Sequence, residues 1–468
     1  MSQLGNPSKN NGNGVTGKET DISDSNSRQL PAASIEALLT NLNLDTPKTS
    51  FANKADLICL SHLRWDFVYQ RPQHLLSRCA KERRVFIIEE PIFSSDSSSR
   101  LDISSRESGV CVVVPHLQEG LSEDAIETAL KEMLAHLFAQ AQIREYILWY
   151  YTPMALGFTR HLNPLAIVYD CMDELSAFKG ANPILKVRED ELFRRADIVF
   201  TGGQSLYEAK RDRHPNIYAF PSSIERTHFA KARNITQEPA DQINIPHPRL
   251  GFFGVIDERM DIELLDGIAQ ACPDWHLVIL GPVVKIDPAV LPQYPNIHYL
   301  GGKSYQELPA YIAGWDVAML PFARNESTRF ISPTKTPEYL AAGKPVVSTS
   351  IRDVVRPYGD NGLVEIADTV ADFVDATLRV IDRDPQESGW LDRVDTFLSQ
   401  TSWDSTWERM MQLIEETIST GNVTENSETG FLRQDLVDKP KIFHGNQVSL
   451  QKGTYARRSQ KPGFSVEI

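Results

Sequence analysis

Short apolar runs alternate with amphipathic helical stretches through the first half of the chain, starting at Asp56. Seven of these runs have the composition of buried strands, and they cover residues 57–60, 85–88, 111–114, 146–150, 166–169, 198–201 and 217–220. The helical stretches between them include residues 72–81, 122–142 and 183–195. Strands that alternate with helices in this way are typical of a doubly wound α/β domain built on a parallel sheet.

The same alternation restarts after a proline-rich, helix-poor stretch at residues 225–248. The second series of predicted strands covers residues 250–256, 276–280, 297–299, 317–320, 346–350 and 363–366. We therefore predict an α/β fold of two Rossmann-like doubly wound domains that face each other across a crevice. Such a crevice, reached from the carboxyl ends of both sheets, is the default ligand site.

The pattern also sets the expected domain boundaries. Residues 1–50 are rich in Asn, Ser, Gly and charge, so we expect a disordered N-terminal tail, followed by domains at residues 51–235 and 236–402. Residues 403–420 carry large apolar side chains at helical spacing, which predicts a helix that packs back on the body. These side chains are Trp403, Trp407, Met410, Met411 and Ile414. Residues 421–468 are polar and aperiodic, and we expect a mostly disordered tail.

Composition narrows the class of protein. A chain of 468 residues is too long for one ordinary core, and 41% apolar residues suffice for more than one. The formal net charge of −14 argues against a nucleic-acid binder. Five scattered cysteines without metal-ligand spacing suit reduced thiols and no structural metal. Without a signal region or a long apolar span, a soluble, cytoplasmic protein is expected.

The basic end of the chain, after Lys439, has two interpretations. Plain solvation of the Lys and Arg side chains is one of them. Weak peripheral membrane association through the same side chains is the other.

The most informative stretch is SPTKTPEYLAAGKPVV, residues 332–347, which predicts a loop, a short helix, a glycine stop and a buried strand. Pro337 has no N–H and is tolerated only in the first helical turn. The helix should therefore begin no earlier than a cap at Thr334 or Thr336. Gly343 should end it, because glycine readily adopts the backbone conformation found just beyond a helix.

The amino end of this helix would project from the carboxyl edge of the second sheet. Ser332, Thr334 and Lys335 would form a phosphate site there, and Glu338 just inside the helix could accept from sugar hydroxyls. A nucleotide diphosphate would suit this edge. The alternative is that Lys335 is a solvated side chain and that Glu338 only favours the helix terminus electrostatically.

The first βα loop of the second domain is a further candidate, and it follows the strand-like run RLGFFGVI. Gly254 in this run permits a ligand to approach the backbone closely. Arg259 in the loop can clamp a diphosphate in bidentate fashion. Its alternative role is a surface ion pair with Glu258 or Asp261.

The segment HLRWDFVYQRPQHL supplies candidate acceptor residues in the first domain. It places His62, Arg64, Trp65 and Arg71 beyond the first strand, just before a helix. Aromatic and charged groups at a strand end suit sugar binding. The alternative is that Trp65 is a buried side chain that pins the loop.

The segment YDCMDE places two carboxylates at the end of another strand, and these are the candidate catalytic residues. A carboxylate there can orient or deprotonate an acceptor hydroxyl. We favour Asp173 over Asp170, since Asp170 is closer to the strand and better placed to bond backbone N–H groups. The alternative is that one of them caps the next segment.

Together these segments resemble the GT-B glycosyltransferases, and among them the bacterial "glycosyl transferase group 1" type enzymes of surface polysaccharide and glycolipid assembly. The resemblance extends over about residues 56–418 and rests on WDFVYQRPQHL, YDCMDE, GFFGVIDERMD, LGP and SPTKTPEYLAAGKPVVST. It implies that Arg259 and Lys335 bind the donor diphosphate, that Glu338 binds the ribose and that the first domain binds the acceptor.

Two segments of the sequence depart from the pattern of the family. Phe330 and Ile331 stand where many relatives have part of a Glu-Gly-Phe-Gly stretch. The loop after the first strand holds Arg64, Trp65 and Asp66 in place of the common Gly-Gly.

The expected function is that of a metal-independent, retaining glycosyltransferase that moves a sugar from a nucleotide diphosphate sugar to a hydroxyl of a glycan or glycolipid acceptor. Its expected place is surface polysaccharide assembly, and no cofactor is expected beyond the nucleotide sugar, which is a substrate. Two alternatives remain open. One is a nucleotide-sugar epimerase on the same fold, which needs no second substrate, and the other is a non-catalytic sugar-nucleotide-binding scaffold.

Overall fold

The computed structural model of the protein describes residues 54–95, 99–382 and 389–426, with side chains described up to residue 420. The tails predicted at residues 1–50 and beyond residue 426 lie outside the described residues. Within the described part the chain forms two sheets, of nine and six strands, which pack against helices. The predicted α/β architecture of two Rossmann-like domains is confirmed.

The sheet of the first domain is mostly parallel, and its central strands are buried. Its strands are β1 (Asp56–Ser61), β2 (Val85–Glu89), β3 (Ile92–Ser94), β4 (Arg100–Ser105), β5 (Val110–Gln118), β6 (Tyr146–Tyr150), β7 (Ala166–Cys171), β8 (Ile198–Thr201) and β9 (Ile217–Ala219). They follow the order β3-β5-β2-β1-β6-β7-β8-β9, and β4 pairs with β5 in antiparallel fashion. Apolar clusters cover both faces of the sheet, which explains why its inner strands are continuous apolar runs.

The helices of the first domain begin and end close to the predicted bounds. They are α1 (Arg71–Cys79), α2 (Glu123–Gln140), α3 (Leu156–Thr159), α4 (Ile184–Arg195) and α5 (Gln204–Lys210). The hydroxyl of Ser122 accepts a hydrogen bond from the Ala125 N–H and so caps α2. Pro72 lies in the first turn of α1, where its missing N–H costs nothing.

Strands β3 and β4 were not predicted, although they form the edge of the sheet beside β5. β3 has three residues and is partly exposed, and β4 alternates buried Leu101 and Ile103 with polar residues. Short, polar edge strands carry little apolar signal, so the sequence pattern does not distinguish them from a loop. Both strands are held by backbone pairing to β5, a contact that no local pattern reveals.

The second sheet is parallel throughout and has the strand order β12-β11-β10-β13-β14-β15. Its strands are β10 (Arg249–Phe253), β11 (His276–Leu280), β12 (Ile297–Gly301), β13 (Val317–Leu320), β14 (Val346–Ser348) and β15 (Glu365–Ile366). The strand order reverses between β10 and β13. In open α/β sheets the crevice at such a reversal is the usual ligand site.

The helices of the second domain include the one predicted from the stretch at residues 332–347. They are α6 (Arg226–Phe229), α7 (Ile262–Ala271), α8 (Leu308–Ala313), α9 (Lys335–Ala341), α10 (Arg352–Val354), α11 (Val370–Ile381) and α12 (Trp390–Leu398). Thr334 occupies the cap position of α9 as predicted, although its side chain makes no capping bond. Gly343 has a φ of +76° and turns the chain from α9 into β14, also as predicted.

The connection between the domains is helix-poor, as predicted. Within residues 225–248 the helical structure is limited to α6 and a 3-10 turn at Ala230–Arg233. Ile224, Phe229 and Ala232 belong to the apolar core of the second domain. The apolar core of the second domain thus includes residues that precede the predicted boundary at residue 235.

The last described helix, α13 (Trp403–Asn426), returns to the first domain. Trp403, Trp407, Met410, Met411 and Ile414 are buried against the face of the first sheet that α1 also covers, as their spacing predicted. The helix continues to Asn426, so the segment at 421–426 is helical rather than part of a disordered tail. An amphipathic helix can extend past its last buried turn because each added residue contributes a backbone hydrogen bond.

Two further expectations concern the whole chain. All five cysteines are free thiols. Across the described ranges, no helix combines the length and the apolar character that a membrane crossing requires.

Candidate active site

A cleft of about 730 Å³ lies between the two domains, at the carboxyl ends of both sheets. The first domain lines it with the loop after β1, the segment after β7 and Ser222. The second domain lines it with the loops after β10, β11 and β12 and with the start of α9. This volume lies within the usual range for small-molecule sites, so the cleft can hold a sugar nucleotide.

Lys335, the first residue of α9, lies directly above Gly254 at the end of β10. A Cβ atom added at Gly254 would be 2.2 Å from Lys335 Cε, so a larger residue there would displace this side chain. Gly254 itself has a φ of +144°, and its carbonyl approaches Gly281 so closely that a Cβ there would clash as well. Burial lowers the pKa of Lys335, and the neighbouring Glu338 opposes that shift.

Glu338 is a buried carboxylate that lines the cleft, and only 6% of its surface is exposed. Within the described part of the chain its Oε2 atom has no hydrogen-bond partner. Burial raises the pKa of Glu338 to about 8, while Lys335 acts in the opposite direction. A buried polar atom without a hydrogen-bond partner is costly, so this oxygen is suited to form a hydrogen bond with a hydroxyl group of a ligand.

Arg259 lines the cleft from the loop after β10, where its partner is Asp257. Arg259 Nη2 lies 2.6 Å from Asp257 Oδ2, and Arg259 Nε donates to the same buried carboxylate. The alternative pairing with Glu258 or Asp261 is therefore wrong, because Asp257 holds the guanidinium over the cleft. The guanidinium carbon also lies 5.6 Å from the ring centroid of Phe178, which comes from the first domain.

Asp173 lines the cleft from the first domain, two residues beyond the end of β7. Within the described residues the Asp173 carboxylate caps no helix, and the cap position of the next short helical turn is Glu174, whose side chain makes no capping bond. Desolvation raises the pKa of Asp173, and the positive charges of Arg259, Arg71 and Lys335 oppose that shift. A carboxylate with a raised pKa beside positive groups is suited to accept a proton from a hydroxyl.

Asp170 is not available for chemistry, which corrects its assignment as a catalytic residue. It is fully buried within β7 and forms a bidentate ion pair with Arg71, whose Nε and Nη2 atoms lie 3.0 and 2.9 Å from its oxygens. The remaining Arg71 nitrogen, Nη1, donates to the carbonyl of Phe220. Each guanidinium nitrogen of Arg71 therefore has a protein partner, and these bonds hold Arg71 in the wall of the cleft.

The other predicted acceptor residues divide between the cleft and its surroundings. Trp65 lines the cleft and is 9% exposed, and its backbone N–H donates to the Glu89 carboxylate over 2.7 Å. Arg64 turns away from the cleft to the same Glu89 and to the Glu90 carbonyl, which corrects its assignment. His62 also lies outside the cleft lining, and burial lowers its pKa to about 4, so the ring is neutral.

The structure brings the remaining predicted donor residues to the second-domain wall. Ser332 and Thr334 both line the cleft, and the Ser332 carbonyl accepts a hydrogen bond from Ser222 of the first domain. From the loop before Ser332, only Phe322 and Ile331 reach the cleft, whereas Glu326 is paired with Arg329 on the surface.

Several cleft residues were not predicted from the sequence. Tyr305 follows β12 and stacks on Tyr69 of the first domain, with ring centroids 4.4 Å apart. The hydroxyl of Tyr305 is buried without a partner among the described residues. The sequence signal for Tyr305 is the Gly-Gly pair that ends β12, since a glycine pair after a buried strand marks the carboxyl edge of the sheet. No comparable feature of the sequence marks Tyr69 as a cleft residue.

The chemical capacity of the site follows from these positions. One wall presents Lys335, Arg259 and a carboxylate oxygen without a donor, and the opposite wall presents the Asp173 carboxylate. Positive groups on one side favour an anionic ligand such as a diphosphate. The carboxylate on the other side favours a hydroxyl-bearing one.

Comparison with known families assigns the second domain. Residues 247–383 match the family described as Glycosyl transferases group 1. The fold is of the GT-B type, and these comparisons confirm the resemblance to group 1 glycosyltransferases drawn from the sequence.

Among particular proteins, the chain is 25% identical over 248 residues to TuaH of Bacillus subtilis (strain 168), provisionally named a teichuronic acid biosynthesis glycosyltransferase. The match covers 47% of this chain and 60% of TuaH, so the chain spans less than two thirds of that relative.

Solved structures share the fold at low identity. Sucrose-phosphate synthase from Thermosynechococcus elongatus has a TM-score of 0.59 and 14% identity, covering 78% of this chain and 100% of its own. An E. coli structure described as trehalose-6-phosphate bound with UDP-2-fluoro glucose has a TM-score of 0.57 and 12% identity, covering 78% and 99%. HepE of Anabaena in complex with UDP and glucose has a TM-score of 0.54 and 12% identity, covering 77% and 100%. At these identities the likeness establishes the GT-B fold alone.

Proposed function

We propose that the protein transfers a sugar, with retention of configuration and without a metal ion, from a nucleotide diphosphate sugar to a hydroxyl of a glycan or glycolipid acceptor. The observation that carries this proposal is the second-domain wall of the cleft. There, Lys335 covers Gly254 and the buried Glu338 keeps an oxygen without a donor. A nucleoside diphosphate offers negative charge to the first group and ribose hydroxyls to the second.

Arg259 and Lys335 stabilise the departing diphosphate in this proposal. Charge develops on the leaving group as the sugar bond breaks, and positive side chains held in place before the reaction lower that barrier. Asp257 holds Arg259 in position, so little reorganisation is required. Metal independence rests on this assignment, and it predicts that turnover persists in the presence of a strong chelator.

Asp173 orients or deprotonates the acceptor hydroxyl in this proposal. It lies on the opposite wall from Lys335 and Arg259, where an acceptor entering from the first domain would meet the donor. Closure of the two domains around both substrates would exclude water and protect the donor from hydrolysis.

The wider role that we propose is surface polysaccharide assembly at the cytoplasmic side of the cell, with weak peripheral membrane association. The name of TuaH supports the first part, because teichuronic acid is a polysaccharide. The membrane part rests on the basic composition after Lys439, which lies outside the described residues. Sedimentation with anionic vesicles, for the full chain and for a chain ending at residue 438, tests that part.

The experiment that tests the function measures the release of free nucleotide from a panel of nucleotide sugars, with and without a hydroxyl acceptor. A glycosyltransferase releases nucleotide in proportion to glycosylated acceptor, and the anomeric configuration of the product reports retention. Interconversion of the nucleotide sugar without acceptor would favour the epimerase alternative. Binding without either reaction would favour the scaffold. Thermal-shift screening against UDP, GDP, ADP and TDP selects the donor for this assay.

A further inference from the structure

A second cavity, of about 370 Å³, lies in the first domain beside the main cleft. The carboxyl ends of β1 and β2, the start of α2 and the turn after β6 form its walls. Most of its lining is apolar and includes Leu60, Ile88, Ile126, Leu130, Ala155 and Phe158. Near its mouth Phe93 is 42% exposed, so the apolar surface extends to the outside of the domain. This size suits an alkyl or aryl group.

Only a short turn separates this cavity from the main cleft. Ser61 and Glu89 line the second cavity, whereas Trp65 and Asp66 line the cleft. Glu89 connects the two, because its carboxylate accepts from the Trp65 N–H over 2.7 Å. Both cavities open at the same carboxyl edge of the first sheet. One molecule can therefore place a polar group in the cleft and an apolar group in the second cavity.

The charges around the second cavity decide which apolar molecule fits it. Four carboxylates contribute to its lining, from Glu89, Glu90, Glu123 and Glu127. Arg188 is the one cation among the described lining residues, and it forms an ion pair with Glu127. Arg64 neutralises Glu89 from outside. Glu90 and Glu123 form no ion pair within the described part of the chain, and both residues are exposed.

We propose that this cavity, the aglycone pocket, holds the apolar aglycone of the sugar acceptor, and that this aglycone carries no phosphate. The apolar walls supply the affinity, since burial contributes roughly 25 cal/mol per Å² of apolar surface. The unpaired carboxylates disfavour a phosphate, because like charges repel. The inference rests on the proposed transferase function, and it narrows the acceptor to a neutral amphiphile.

The test uses the full chain and two probes, n-octyl β-D-glucoside and n-octyl phosphate, both below the concentration at which they form micelles. Calorimetry should show saturable binding of the glucoside and at least tenfold weaker binding of the phosphate. Ile126→Trp fills the pocket from α2 and should weaken glucoside binding at least tenfold. Ile126 is only partly buried, so the larger side chain need not disturb the core. Lys131→Trp, an exposed position on the same helix, is the matched control and should bind like the wild type.

A double variant tests whether the carboxylates disfavour a phosphate. Replacing both Glu90 and Glu123 by Gln should narrow the difference in affinity between the two probes by strengthening the binding of octyl phosphate. Equal binding of both probes to the wild type, or an unchanged difference in the double variant, would overturn the exclusion of phosphate. Glucoside binding that Ile126→Trp does not weaken would overturn the pocket itself.

Failure of this inference can be told apart from failure of the proposed function. Nucleotide diphosphate binding is measured on the same preparations, and it should be unchanged in Ile126→Trp, because Ile126 does not line the main cleft. Normal nucleotide binding with no glucoside binding contradicts the aglycone pocket alone. Loss of transfer to an octyl glycoside in Ile126→Trp, with transfer to a free sugar retained, would support both the aglycone pocket and the proposed transferase function.

Discussion

On the second-domain wall of the cleft, burial affects the ionisable side chains as much as neighbouring charges do. Lys335 and Glu338 lie one helical turn apart, and both line the main cleft. The sequence predicted both from their place after the loop and before the buried strand. It could not reveal that Glu338 keeps an oxygen without a donor, since that depends on surrounding residues far away in the chain. Substitutions at Lys335 and Glu338 therefore test the proposed nucleotide site most directly.

Lys335→Ala and Arg259→Ala should each weaken the binding of a nucleoside diphosphate by about 1.5–3 kcal/mol, which is roughly 10- to 150-fold, because each removes a charge-assisted contact. Calorimetry measures the change. Lys231→Ala and Arg324→Ala, two cations of the second domain outside the cleft, are the matched controls. Unchanged affinity in both cleft variants would remove the diphosphate assignment.

The two variants should differ in stability. Arg259→Ala leaves the buried Asp257 carboxylate without its guanidinium partner, so its melting temperature should fall. Lys335 forms no ion pair within the described residues, and Lys335→Ala should melt close to the wild type.

Asp173 and Asp170 are three residues apart, and the structure places them in different surroundings, Asp173 at the cleft and Asp170 in a buried ion pair. Asp173→Asn should lower turnover by about 10²-fold or more, with donor affinity and melting temperature near those of the wild type, because its carboxylate faces the cleft without capping a segment. Asp170→Asn should instead cost about 3–5 kcal/mol of stability, because it breaks a buried ion pair.

Turnover, donor affinity and melting temperature measured on one preparation separate these outcomes, with the exposed Asp212→Asn as control. Normal turnover in Asp173→Asn would contradict the proposed catalytic role of Asp173. The sequence could not assign the pair with certainty, since the partner of Asp170 is Arg71, 99 residues earlier in the chain.

Glu338 should make the stability of the protein depend on pH. Burial raises its pKa from 4.5 to about 8 in the folded chain, and unfolding restores the lower value. Between these values the folded state holds a proton that the unfolded state has lost, so this group lowers the stability as the pH rises from 4.5 to 8. The free energy of unfolding should therefore fall more steeply in the wild type than in Glu338→Gln over about pH 5 to 8.5.

Urea denaturation of both proteins at several pH values measures this difference, and identical profiles would contradict it. A bound ribose that donates its hydroxyls to the carboxylate favours the ionised form, so nucleotide affinity should also rise with pH up to about 8. The titration of the nucleotide's phosphate groups affects binding to the wild type and to Glu338→Gln equally. The difference in affinity between the two proteins therefore reports Glu338.

At the scale of elements, the sequence predicted best where local chemistry decides the structure. α9 begins after Thr334, ends before Gly343 and leads into β14, because a proline, a glycine and a β-branched run each restrict the backbone locally. β3 and β4 were missed because their pairing partner supplies their stability. The end of α13 was misplaced because a helix can outlast its apolar stripe.

Gly343→Ala should destabilise the protein by about 1–2 kcal/mol. Its φ of +76° lies in the left-handed region, where a Cβ is unfavourable by about that amount. A Cβ there would also lie 3.3 Å from the Arg233 side chain. Chemical denaturation measures the loss, and Gly302→Ala is the matched control, since a Cβ at Gly302 meets open space and its φ is not left-handed. Equal stabilities for both variants would contradict the assignment of Gly343 as the stop of α9.

At the scale of the whole molecule, the two domains contact each other at several points around the cleft. The Ser205 N–H of the first domain donates to the buried Asp353 carboxylate of the second over 3.0 Å. Tyr69 stacks on Tyr305 at the cleft mouth. The sequence predicted two domains and a crevice, but it could not predict which surfaces meet. These contacts join residues more than a hundred positions apart, and no local pattern encodes them.

The helix α13 connects the domains in a different way, because it follows the second domain in the chain and packs on the first. Arg78 of α1 lies 2.7 Å from Asp404, and Asn216 donates to Thr417, so polar contacts flank the buried apolar face. Removing this helix would expose the surface of the first sheet that it covers, including Trp149 and Phe200, which are fully buried.

A chain that ends at residue 402 should therefore melt at a much lower temperature than the full chain, or should aggregate, because it loses the apolar face of α13. A chain of residues 51–429 should melt within error of the full chain and retain donor hydrolysis, because the composition of residues 1–50 and 430–468 offers no apolar face to a core. Calorimetric melting of the three proteins decides the matter. A large drop on removal of the two tails alone would mean that one of them contributes to the folded body, and an unchanged melting temperature without α13 would mean that the first domain is stable without its cover.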